Sequence, residues 1–201
     1  MTLAHRGQIG VQVEEELGCI GMAVHHDGRG VDGCGIRGGR GLAFDGRTAE
    51  DFKLTSGTWV HVGAVRLAAV AAGAPVIMDA VVTGHDRDEV GLLVFPNLPG
   101  CRLLCPDLGP GADLETLVRR PAIRERLVAG LSAYNADQPG SSTRIARVLL
   151  MVDPPSIDAG EITDKGYINQ RAVLERRAEL VERLHRGEGE DVILLSDPAT
   201  S

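Results

Sequence analysis

Aromatic side chains are scarce. Three Phe, two Tyr and one Trp make up 3% of 201 residues, so the core must be built from Leu, Val, Ile and Ala. Basic charge is also in deficit. Lys and Arg number 21 against 28 Asp and Glu, a net charge of −7, which argues against the basic face that phosphate-backbone binding needs. No apolar run is long enough to cross a bilayer as a helix, and the first residues hold no apolar signal-peptide core. The expected address is cytoplasmic, with neither nucleic acid nor membrane as partner. Cysteine is sparse too. Cys19, Cys34, Cys101 and Cys105 form no C-x-x-C pair, Cys101 and Cys105 have no matching His pair nearby, and His25-His26 reads as a solvated pair. Reduced thiols are expected, and no metal site.

What is present is globular in kind: 43% apolar and 24% charged residues, enough for one ordinary domain with a core. Residues 1–40 differ from the rest. They hold ten glycines and no lasting period of 3.6 or 2. Two G-x-G-x-x-G strings occur, from Gly28 to Gly33 and from Gly33 to Gly38. A dinucleotide fingerprint needs a strand before it and a helix opening at its last glycine; neither flank is evident, so these are expected to be chance matches. Residues 1–40 are expected to be a poorly ordered leader, 41–187 a domain, and 188–201 a tail.

From Gly41 the pattern becomes structured. Leu42 to Gly46 reads as a short strand. Asp51–Thr55 and Thr58–Val62 read as a hairpin about Ser56-Gly57. On local pattern alone, Gly57 is a turn glycine, Trp59 a core aromatic and Arg47 a surface ion-pair partner. Ala64–Ala74 reads as a helix stopped by Pro75. Val76–Val82 and Val90–Phe95 are β-branched and apolar, joined by the polar turn His85–Asp88, a second hairpin. Pro96–Gly111 reads as a loop. Pro121 opens a helix with a stripe at Ile123, Leu127, Leu131 and Tyr134, ended by Asn135 and then Pro139-Gly140; Gly130 within it costs about 1 kcal/mol relative to Ala. Ala146–Val152 is the strongest buried-strand candidate. A last helix is predicted from Asn169, its N-cap, to His185, with Val173, Leu174, Leu180, Val181 and Leu184 on one face. Arg171, Glu175, Arg176, Glu179, Glu182 and Arg183 occupy the other.

Between that strand and that helix lies Gly160-Glu161-Ile162-Thr163-Asp164-Lys165-Gly166-Tyr167-Ile168-Asn169, a loop with one lysine between two glycines. A lone cation on such a loop can be aimed at an anion, or can be a solvated turn residue. The run GEITDKGYINQRAVLERRAELVERL resembles the C-terminal end of feruloyl-CoA synthetases, members of the adenylate-forming superfamily. That superfamily ends in a small mobile domain whose last loop carries a lysine in a P-x-T-x-x-G-K setting; Ile162-Thr163-Asp164-Lys165-Gly166 stands in its place, without a glycine just before the lysine. The stretch GRTAEDFKLTSGTWVHVG resembles the superfamily hinge, G-R-x-x-D-x-x-K-x-x-G, with one extra residue, so the hinge falls at Glu50 or Asp51.

The resemblance spans Gly41 to about His185. It implies an α+β domain, a small sheet with hairpins flanked by helices. It implies Lys165 as the adenylation lysine, Arg47 on the ribose, Gly57 beside the CoA pantetheine and Trp59 as tunnel wall. ATP, Mg²⁺ and CoA would be the cofactors, with ATP and Mg²⁺ held mainly by an N-terminal adenylation domain that this chain lacks. An aromatic carboxylic acid would be the substrate. The Tyr-Arg-Ser-Gly-Asp type motif that precedes the small domain in the family has no counterpart in residues 1–40, so a frameshifted or misplaced start is expected there. The chain alone is expected to be inactive. The alternative is a non-catalytic α+β binding or regulatory module, or an inactive gene fragment.

Overall fold

Strands buried on both faces set the centre of the fold. The computed structural model describes residues 50–138 and 140–195, together with short strands at 34–35 and 43–44, all within Asp32–Ser201. Strands β1 (Cys34–Gly35) and β2 (Ala43–Phe44) form one antiparallel pair, β3 (Phe52–Lys53) and β4 (Trp59–Val60) another. The main sheet has the order β5-β6-β7-β8, from Ile77–Thr83, Val90–Pro96, Ile145–Leu150 and Val192–Leu194. Strands β6 and β7 run parallel; the other neighbours are antiparallel. Ala80, Val82, Leu92, Val94, Val148 and Leu150 pack with helices α1 (Val62–Ala72) and α4 (Pro121–Asp137). Val81, Leu93, Phe95 and Leu149 belong to a second cluster with α5 (Gln170–Arg176) and α6 (Ala178–Arg186). Successive strand residues thus serve opposite faces. All seven residues of β6 are buried, which is why this stretch reads as continuously apolar. The α+β class expected from the sequence is the class observed.

Three departures are physical. First, Pro96–Gly111 is not a plain loop. It holds the helix Leu98–Leu104 (α2) and a 3₁₀ turn at Pro106–Leu108, followed by a third helix, Leu114–Val118 (α3). Asn97 accepts from the Gly100 amide, and Pro99 lies in the first turn, where its missing N–H is no loss. Buried Cys101 and Cys105 tie this segment to the core. Burial, then the neighbouring Cys105 thiol, pushes the Cys101 thiol up to about 11. Secondly, Asn135 lies inside α4 rather than ending it. Buried, its amide donates to the Ile145 carbonyl at 2.7 Å and accepts from the Ile145 amide at 2.9 Å, fastening α4 to the start of β7. Thirdly, the last helix is broken at Arg177, which sits at φ −102°, ψ 30°. The segment beyond Gly187 supplies β8, with Val192 opposite Leu149.

Gln170 anchors α5 to the sheet. Its side chain accepts from the Val82 amide at 3.1 Å and donates to the Val82 carbonyl at 3.0 Å. One amide thereby pairs the outward backbone groups of one residue of β5, an edge strand.

Candidate functional site

The lysine loop leaves the carboxyl end of β7 and narrows to a tight hairpin. Ile162 and Ile168 form an antiparallel bridge. The Thr163 amide donates to the Tyr167 carbonyl at 2.8 Å, and the Gly166 amide to the Thr163 carbonyl at 2.9 Å. Gly166 takes φ +81°, which a residue with a Cβ adopts only at a cost. Lys165 is exposed at the tip, where no hydrogen bond or ion pair of its own holds it among the described residues. Tyr167, beside it, is exposed as well.

Beneath the tip the loop is tied down. Glu161 is fully buried. Its carboxylate accepts two bonds from Arg177, each 2.8 Å, and one from the Ser156 amide at 2.8 Å. Arg177 also donates to the carbonyls of Asp153 and Pro154, at 3.0 and 2.9 Å, and its guanidinium lies 5.0 Å from the Phe95 ring centre. The hydrogen bonds from Arg177 hold the Glu161 carboxyl below the usual carboxylate range despite burial. The pair therefore stays charged at neutral pH, and its stabilisation is lost as pH falls below the ordinary value of 4.5. This clamp was missed in the sequence, where Glu161 reads as a loop acid. The available signal was Arg177 itself, a charge four residues after Val173 on the apolar stripe.

The hinge-like segment stands elsewhere. Arg47 lies outside the described residues. Glu50 is half-buried. The Asp51 carboxylate accepts from the Val62 amide at 3.0 Å and contacts His61 at 2.9 Å, so it caps the first turn of α1 from eleven residues upstream. Gly57 turns the hairpin with φ +80°, its amide donating to the Leu54 carbonyl at 2.8 Å. Trp59 is 52% exposed, with the Lys53 ammonium 4.9 Å from its ring centre; it is a surface aromatic and not a core one. This hairpin sits on the β5–β6 turn, through the Thr55 amide to the Arg87 carbonyl and the Asp86 amide to the Lys53 carbonyl. That turn is at the opposite end of the sheet from the point where the lysine loop departs. Among the described residues, no hydrogen bond or ion pair joins hairpin and loop.

Two concavities flank these elements. One of about 730 Å³ is lined by Arg119, Arg124, Val152, Asp153, Arg177 and Arg183, at the base of the lysine loop. A smaller one of about 190 Å³ is lined by Phe52, Thr83, His85, Arg87, Glu182 and His185. His185 contacts the Thr83 hydroxyl at 2.9 Å. Burial, reinforced by Arg147 and Arg87 against the opposing pull of Glu182 and Glu89, lowers it to about 4. The folded chain thus holds this histidine neutral while the unfolded chain protonates it below about 6.5. Its contribution is complete above that value and is lost as pH falls from there towards 4. Wild type should accordingly lose more in Tm between pH 7 and pH 5 than His185→Gln, measured by thermal melts of both.

Among the described residues, no helix is long and apolar enough to cross a membrane. No curated protein matches the chain. Solved structures do. The A domain of carboxylic acid reductase from Segniliparus rugosus, in complex with AMP and a co-purified carboxylic acid, superposes with a TM-score of 0.52 at 20% identity, over 70% of this chain and 20% of that one. The adenylation domain of the carboxylate reductase from Mycobacterium chelonae gives 0.53 at 17% identity, again over 70% and 20%. These likenesses show the fold, and this chain spans about a fifth of the length of those proteins. Residues 60–188 match the family described as AMP-binding enzyme C-terminal domain. The match includes Lys165; Arg47, Glu50, Asp51, Gly57 and Trp59 precede it. More than half of the chain lies in this match, and the protein belongs to the AMP-binding enzyme C-terminal domain family.

Proposed function

We propose that residues 41–187 are the small mobile domain of an ATP-dependent, AMP-forming carboxylic acid–CoA ligase of the feruloyl-CoA synthetase type, and that Lys165 serves its adenylation step. One observation carries this reading: the loop with Lys165 folds as a tight hairpin whose exposed tip presents an ammonium with no partner among the described residues. An ammonium so placed fits an anion delivered from outside the domain. The neighbours bound to AMP and a carboxylic acid support a carboxylate-activating chemistry.

In such a reaction a carboxylate oxygen bonds to the α-phosphorus of ATP as the bond to the β-phosphate oxygen breaks, and pyrophosphate leaves. The CoA sulfur then bonds to the acyl carbon, the bond to AMP breaks, and the thiol proton passes to solvent. Negative charge crowds the first transition state, and a fixed cation lowers it electrostatically. Arg47 is assigned to the ribose, Gly57 and Trp59 to the pantetheine path, and the pivot to Glu50 or Asp51. That the glycine hairpin and the lysine loop leave opposite ends of the sheet agrees with two half-reactions served by different faces of one rotating domain. Among the described residues no group of three His, Cys, Asp or Glu side chains is placed to hold a metal ion, so this reading takes its Mg²⁺ ligands from a large adenylation domain, the proposed partner.

The test is complementation. Fused behind the large domain of a feruloyl-CoA synthetase deprived of its own small domain, this chain should restore ATP- and CoA-dependent thioester formation from ferulate. Correct folding of the fusion without any adenylate or thioester formed would favour a non-catalytic module.

A further inference from the structure

Glu161 is the one fully buried charged side chain among the described residues, and Arg177 beside it is 9% exposed. A buried ion pair is a poor stabiliser compared with apolar residues of the same size. What a forked pair does supply is orientation, because the planar guanidinium and the carboxylate meet in one geometry. Here that geometry is applied to the lysine loop. Arg177 holds the departing strand through the carbonyls of Asp153 and Pro154, and the returning strand through Glu161. Glu161 in turn fixes the Ser156 amide, and its own carbonyl accepts from the Asn169 amide at 2.8 Å. From Glu161 the bonds continue through the Ile162–Ile168 bridge to the Thr163–Gly166 turn. An unbroken set of fixed bonds runs from Arg177 to the residues flanking Lys165, and none of them uses the lysine side chain.

The helix break fits the same role. Arg177, four residues after the buried Val173, stands at the break between α5 and α6, and its guanidinium lies across Phe95 of the second cluster and reaches the loop base. We propose that Glu161 and Arg177 are positioning residues that set where the Lys165 ammonium stands, an inference that rests on the adenylation role proposed above.

Two measurements test it. The first is hydrogen exchange on the full 201-residue chain, which does not depend on activity. In Arg177→Met the amides of Thr163, Gly166 and Asn169 should exchange at least about tenfold faster, while those of Leu93 and Val148 in the sheet keep their protection. Arg147→Met, which breaks the ion pair with Glu89, serves as control and should leave the loop amides alone. Glu161→Gln, which keeps the shape of the side chain, reads the same way should Arg177→Met fail to fold. Loop amides that do not respond, or sheet amides that rise equally, overturn the proposal.

The second is a double-mutant cycle in the reconstituted enzyme. Arg177→Met should lower kcat for adenylation by about tenfold or more when Lys165 is present, and by less than about twofold when Lys165 is already alanine. An equal loss in both backgrounds means that the pair acts elsewhere, and overturns the proposal. If Lys165→Ala itself leaves adenylation intact, the proposed function falls, and with it the assignment of a catalytic purpose to the clamp; the exchange measurement still decides whether the pair holds the loop.

Discussion

Lys165→Ala is expected to lower acyl-adenylate formation by about 10²–10³, or about 3–4 kcal/mol of transition-state stabilisation, and to leave thioester formation from preformed adenylate unchanged. The size follows from what the side chain can do. It is exposed at the hairpin tip, so removing it leaves no cavity and unpairs no buried group. Whatever is lost is an interaction made only with something brought from outside. A positive charge matters most where negative charge is crowding, which is the attack of a carboxylate on the α-phosphate. In the proposed reaction the thioester step attacks a neutral acyl carbon, with a different face of the domain turned towards the nucleotide. Lys165→Arg should retain part of the rate, because it keeps the charge but exchanges a compact ammonium for a planar fork. Single-turnover assays of the two half-reactions, in the reconstituted enzyme, separate these outcomes. Equal loss in both would mean that the lysine supports the fold or the nucleotide generally. A melting temperature unchanged by Lys165→Ala would confirm that any loss is chemical.

Gly130→Ala should destabilise the domain by about 1–3 kcal/mol, the cost of overpacking, although helix propensity alone favours alanine there by about 1 kcal/mol. A Cβ at this position would lie 2.0 Å from the Ala72 carbonyl oxygen and 3.1 Å from its carbon. Both belong to the backbone of α1 and cannot rotate away. Helices α1 and α4 would have to part, loosening Ala69, Leu127 and Leu131, which are buried together in the larger cluster. The urea midpoint should fall, with Tm lower by a few degrees. A midpoint that rises would show that the two helices separate freely and that propensity decides.

Gly130 also shows what a single chain of letters conceals. Its local cost was legible; its necessity was not, because the obstacle is a carbonyl 58 residues away in sequence. The elements that could be read were those whose pattern is local. Helix α4 announces itself by Ile123, Leu127 and Leu131, all fully buried, and β5, β6 and β7 by β-branched and apolar runs. Helix α2 could not be read this way, since Leu98-Pro99-Gly100-Cys101 carries two helix breakers that only its cap and its packing permit. The break at Arg177 was hidden for the same reason: a mainly charged helix surface looks solvated until one of its arginines finds a buried partner. In the candidate site, the lysine and the glycine that shapes its turn were visible as a motif. The carboxylate underneath was not, because an acid within a loop is ordinarily exposed and nothing in its neighbours marks it as interior.

The amide of Gln170 has one more effect. Strand β5 is one of the two edge strands of the main sheet, and such edges invite another chain to add a strand. Near its C-terminal end the outward N–H and C=O of Val82 are both occupied by this one side chain. An incoming strand would have to displace an anchor that also holds the start of α5, so templated growth along this margin is blocked at one end. Self-association into ribbons is thereby discouraged by a residue whose more evident task is to seat a helix.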